Sequence, residues 1–120
     1  MLKEDNQMLL KIRKPENVDQ NMIKLLNQYF KKRKCAYYAR LISITVCDKE
    51  TQAPLEAEHF CVIIKPTNKF NLDKDNYNIF KLIEPYLEDK NDFVDFSVLG
   101  YSKTMQIYEE ENAIEIYTNY

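Results

Sequence analysis

A chain of 120 residues, 45% of them hydrophobic, has the length of one domain and enough apolar content for one core, which excludes wholesale disorder. Its formal net charge of −2 argues against the basic face typical of nucleic-acid binders, and no run approaches the roughly 20 apolar residues of a membrane span. The polar amino terminus, Met1 to Gln7, has no apolar h-region, so it does not read as a secretory leader, and the expected compartment is the cytoplasm.

Met8 to Arg13 reads as a short strand ended by Pro15. Asn17 offers an N-cap oxygen, and Gln20 follows at capping-box spacing. Val18, Met22, Leu25, Leu26, Tyr29 and Phe30 then recur at helical spacing, which predicts a helix over 17–34 with Tyr29 and Phe30 in the core. Lys31, Lys32, Arg33 and Lys34 fall where that helix ends. Cations there complement the helix dipole, and this reading is preferred to a phosphate site.

Cys35 to Val46 predicts a half-buried strand, since Ile42, Ile44 and Val46 alternate with Ser43 and Thr45. Asp48 to Glu58 is polar, contains Pro54, and reads as a loop. Phe60 to Ile64 is an unbroken apolar run, the mark of a strand covered on both faces, and the two strands fit an antiparallel hairpin. After a break at 66–71, Asp73 or Asp75 can cap a second helix carrying Ile79, Phe80, Ile83 and Leu87, with Pro85 expected to kink or split it. Phe93 to Leu99 alternates as a strand and stops at Gly100. Ser102 to Glu110 fits either a short helix or a strand, and Ala113 to Thr118 a final strand.

This order predicts an α+β fold over a single domain, 1–120: a ferredoxin-like βαββαβ two-layer sandwich with an additional C-terminal strand. In that topology the strand after the first helix lies at a sheet edge. A long apolar edge is rarely left bare, so either the C-terminal strand covers it or another chain does, as in a homodimer through an edge strand.

Pro15 before a helix, Ala36-Tyr37-Tyr38-Ala39 opening a strand, Val62-Ile63-Ile64, Val94-Asp95-Phe96 and a terminal Ile116-Tyr117 follow one another over 11–117. This pattern resembles the C-terminal domain of the bacterial enhanced serine sensitivity (SseB) proteins. The resemblance implies an α+β scaffold and brings no catalytic residues.

Cys35, Cys47 and Cys61 form no C-x-x-C pair and are odd in number, which fits three reduced thiols better than a disulfide framework or a zinc site. One catalytic candidate remains, Cys47 with His59, flanking the hairpin loop, but no Gly-containing turn is near to supply an oxyanion hole. Tyrosine is abundant, nine in the chain. Tyr37, Tyr38, Tyr101, Tyr108 and Tyr117, with Glu109, Glu110 and Glu111, form the candidate interaction set, weighed against the use of Tyr as an ordinary strand former.

The expected function is a non-catalytic bacterial cytoplasmic protein–protein interaction domain, SseB-like. Its partner is another protein, with no nucleic acid, membrane or cofactor. The rivals are a small acidic inhibitor or immunity-type protein neutralising a basic toxin or nuclease, and a thiol enzyme using Cys47.

Overall fold

The computed structural model describes residues 8–87, 94–98 and 113–119. Among these residues five strands form one sheet: β1 (Met8–Arg13), β2 (Ala36–Asp48), β3 (His59–Pro66), β4 (Val94–Val98) and β5 (Ile114–Thr118). Two helices accompany it, α1 (Gln20–Arg33) between β1 and β2, and α2 (Leu72–Ile83) between β3 and β4.

The caps show why the helices begin and end where they do. Asp19, not Asn17, starts α1: its carboxylate accepts from the Asn21 N–H at 2.8 Å, while Asn17 turns left-handed at φ 55°. Lys34 closes the helix in the left-handed conformation and donates its N–H to the Phe30 carbonyl at 2.8 Å. Asn71 caps α2 by accepting from the Lys74 N–H at 2.9 Å, which leaves Asp73 and Asp75 inside the first turn. Pro85 ends α2 as expected, and the chain continues in a single 3₁₀ turn, Glu84–Tyr86.

β2 organises the sheet. β3 pairs antiparallel along one edge, from Ala36 opposite Pro66 to Ile44 opposite His59. The other edge is shared end to end. β5 takes the first half, with Tyr38 opposite Thr118 and Leu41 opposite Ile114. β1 takes the second, with Arg13 opposite Ser43 and Met8 opposite Asp48. β4 lies beyond β3, parallel to it.

The α+β class and the C-terminal strand are therefore present, but the strand order is not the ferredoxin-like one. That order places the first strand between the third and the fourth. Here β3, α2 and β4 make an unsplit βαβ unit whose parallel strands are adjacent, leaving no slot for β1 between them. β1 pairs with β2 instead, and β2 is a central strand whose two edges are filled within the chain.

Both helices pack on one face of the sheet. Met22, Leu26 and Phe30 of α1 and Ile79 and Ile83 of α2 meet Ala36, Ala39, Leu41, Val62, Ile64, Ile116 and Tyr117. Tyr38, Ile42, Ile44, Cys61 and Ile63 form a second buried cluster. β2 is thus buried on both faces at its centre, Ser43 included, rather than half-buried as its alternation suggests. Register shifts between Ala36 and Tyr38 and between Ala39 and Arg40 mark irregularities that change the facing parity. They let Ala36 and Ala39, three residues apart, join one cluster while Tyr38 joins the other.

Candidate functional site

The thiol–imidazole pair does not form. His59 lies opposite Ile44 in the β2–β3 register, so it shares that residue's face. Cys47 is three residues further along β2, an odd step, and points to the opposite face. The His59 ring is engaged elsewhere: Nδ1 lies 2.9 Å from the Ala57 carbonyl and Nε2 2.7 Å from the Asp95 carboxylate. Both nitrogens meet oxygen acceptors, so the ring tethers the start of β3 to β4 rather than serving as a base for a thiol. Cys61, opposite Asp95, shares this face, but burial and then the nearby carboxylate push its thiol up to about 12. Burial likewise pushes Cys35 to about 11. Both stay protonated and poorly nucleophilic at neutral pH.

Cys47→Ala should leave partner binding and biological activity intact, at a stability cost of about 1 kcal/mol for the lost buried sulfur. Abolished activity in a folded protein that still binds its partners would restore the thiol-enzyme reading. Among the described residues, no group of His, Cys, Asp and Glu side chains could hold a metal ion.

The candidate interaction residues separate. Tyr37 is exposed, at 45%, within the irregular stretch of β2, and its carbonyl accepts from the Asn119 N–H at 2.8 Å. Tyr38 and Tyr117, expected at the surface, are interior. Tyr38 packs in the second cluster with the Arg40 guanidinium 4.2 Å from its ring centre. Tyr117 stacks on Phe30 with ring centres 6.0 Å apart. The physical reason is the irregular register of β2, which turns Tyr37 outward and Tyr38 in, together with the pairing of β5, which places Tyr117 under α1. Tyr101, Tyr108, Glu109, Glu110 and Glu111 lie outside the described residues, as does the expected helix or strand at 102–110.

A buried polar knot, absent from the candidate set, joins the two helices. The Asp75 side chain is fully buried. It accepts from Arg33 Nε at 3.0 Å, Arg33 Nη2 at 3.1 Å, the Tyr29 hydroxyl, and the Asn71 N–H at 2.7 Å. Asn78 donates to the Tyr29 hydroxyl at 3.3 Å. Burial pushes the Asp75 carboxyl up, but the hydrogen bonds from Arg33, Tyr29 and Asn71 outweigh it and hold the group below its ordinary value. A carboxylate saturated in this way is structural: its acceptor sites are occupied, and it faces no solvent. The sequence offered only separate roles for its members, a helix cap for Asp75 and a dipole partner for Arg33.

The remaining feature is the outer edge of β5. An open groove runs between this edge and α1, lined by Gln20, Ile23, Lys24 and Asn27 on the helix and by Glu115 and Thr118 on the strand. Asn27 Nδ2 donates to the Ile116 carbonyl at 2.9 Å, so one backbone acceptor of β5 is satisfied by a side chain rather than by a neighbouring strand. Thr118 donates its hydroxyl to Glu115 along the same strand. Among the described residues β2 is the only strand that pairs with β5.

No family model, curated protein or solved structure matches this chain. No helix among the described residues is long and apolar enough to cross a membrane.

Proposed function

We propose that this chain is a non-catalytic protein–protein interaction domain of the SseB-like kind, acting in the bacterial cytoplasm, and that it receives an extended segment of a partner protein along the outer edge of β5. The observation that carries the reading is that edge, with its neighbouring groove on α1 and a backbone carbonyl held by Asn27. A sheet edge presents donors and acceptors in the spacing an extended chain matches, which is the basis of β-strand addition. β2, the strand expected to offer a bare edge, is filled on both edges, which leaves the outer edge of the C-terminal strand, β5. The SseB resemblance rests on the residue pattern alone.

Hydrogen exchange tests the reading. When a partner is bound, or when a second copy associates at tens of micromolar, the amides of 114–118 should gain protection, and light scattering should report the complex. A complex whose protection falls elsewhere and spares 114–118 would sink the proposal. So would a protein that stays monomeric at every concentration and draws no partner from its own cell extract.

A further inference from the structure

We infer that the outward face of α1 is a docking surface for an acidic segment of a partner protein. At 3.6 residues per turn, Asn21, Lys24, Leu25, Gln28, Lys31 and Lys32 share about a third of the helix circumference, and all six are exposed. Lys34 follows at the C-cap, also exposed. None of these four lysine side chains has an ion-pair partner among the described residues. The run 31–34 has therefore divided its work: Arg33 is turned to Asp75, and its three neighbours face outward.

The helix dipole does not account for this face. It favours cations in the last turn, which covers Lys31 and Lys32, and acids in the first turn, where α1 has none. α2 follows the rule at both ends, with Asp73 and Asp75 in its first turn and Lys81 in its last. α1 holds no Asp or Glu from Gln20 to Arg33, and Lys24 lies mid-helix. Nor is the chain basic: it carries 17 Lys and Arg against 19 Asp and Glu, so the positive charge on α1 is segregated from an acidic remainder. A solvated helix face gains from mixed Glu and Lys at i,i+4 spacing, and this one forgoes it.

The chemistry of the face selects its occupant. Lys31 and Lys24 lie along one margin of the face and Leu25, a large apolar side chain 38% exposed, along the other beside Lys32, with the amides of Gln28 and Asn21 between them. A charged row beside an apolar margin suits a peptide that alternates carboxylates with aliphatic side chains. A nucleic acid would find no aromatic stacking partner here, since Tyr29 is committed to Asp75, and would meet the acidic remainder of the chain.

The probe is a fluorescein-labelled peptide alternating Glu pairs with Leu, titrated by anisotropy at low and at physiological salt. It should bind, weaken as salt rises, and weaken roughly tenfold or more when Lys24, Lys31 and Lys32 are together replaced by Gln. Circular dichroism verifies that the triple variant is folded. Leu25→Ser should weaken binding without changing its salt dependence. Lys49→Gln with Lys81→Gln, neutralising charge elsewhere, should leave binding unchanged. The inference is overturned if the peptide does not bind, if the triple variant binds as the parent does, or if the Lys49 and Lys81 control loses as much. It is equally overturned if a short single-stranded oligonucleotide, or phosphatidylglycerol vesicles, bind more tightly than the peptide and lose that binding in the triple variant. An exchange experiment on the same complex separates this surface from the β5 edge, because protection confined to 114–118 would belong to the edge alone.

Discussion

Phe30→Ala should cost about 3–5 kcal/mol, enough to unfold much of a domain whose whole stability is of order 5–15 kcal/mol. The ring is fully buried, stacks on Tyr117 from β5, and meets Tyr29 edge-on at 5.8 Å. Removing it deletes the largest fully buried side chain among the described residues and opens a cavity between α1 and the sheet. Urea denaturation followed by circular dichroism measures the loss. Phe30→Leu, which keeps most of the volume, should cost far less. A Phe30→Ala loss below about 1 kcal/mol would mean that the helix does not present this face to β5.

The second large effect is at Asp75. Asp75→Ala should cost about 3 kcal/mol, because it leaves the Tyr29 hydroxyl and the Asn71 N–H without their acceptor and Arg33 without its counter-charge. Arg33 remains partly in water, so its charge is not stranded, and the cost comes mainly from the orphaned buried groups. The knot also sets a pH dependence. The folded-state pKa of Asp75 is depressed, so its contribution is fully present above the unfolded value of about 3.9 and is lost as pH falls through the lower folded value. Stability measured from neutrality down into this acid window should fall more steeply in the parent than in Asp75→Asn, which has no proton to take up there. Parallel acid limbs in the two proteins would show that Asp75 is not the group responsible.

How far the sequence revealed this arrangement depended on the range of the signal. The core positions Met22, Leu26 and Phe30 and the breaks at Pro15 and Pro85 were legible because period and imino rings act within a few residues, whereas Val18 lies before the cap, Leu25 faces outward, and the caps fall at Asp19 and Asn71. Strand order was not, because the hydrophobic pattern of β1 is satisfied equally beside β2 or between β3 and β4. Only the adjacency of β3 and β4 decides between them. The fate of the tyrosines turned on irregular register: a shift at 36–38 is invisible in the alternation of 42–46, yet it determines which of Tyr37 and Tyr38 meets solvent. The Asp75 knot brings residues 29, 33, 71 and 75 together across two helices, and no local spacing announces such a meeting.

The tandem occupation of one edge of β2 has a consequence for the order of synthesis. Among the described strands β5 is made after the others, yet it covers Tyr38 to Leu41, about 75 residues earlier, and supplies the ring beneath Phe30. A nascent chain still attached to the ribosome can close the β1–β2–β3 portion from local and mid-range contacts, but the first half of β2 keeps a bare edge until residues 114–118 emerge. Closing that edge spans most of the chain and so comes at a late, slow step. Ribosome stalling or proteolytic trimming short of β5 releases a species with an open strand edge and an uncovered aromatic side chain, the form most prone to pair with another copy of itself.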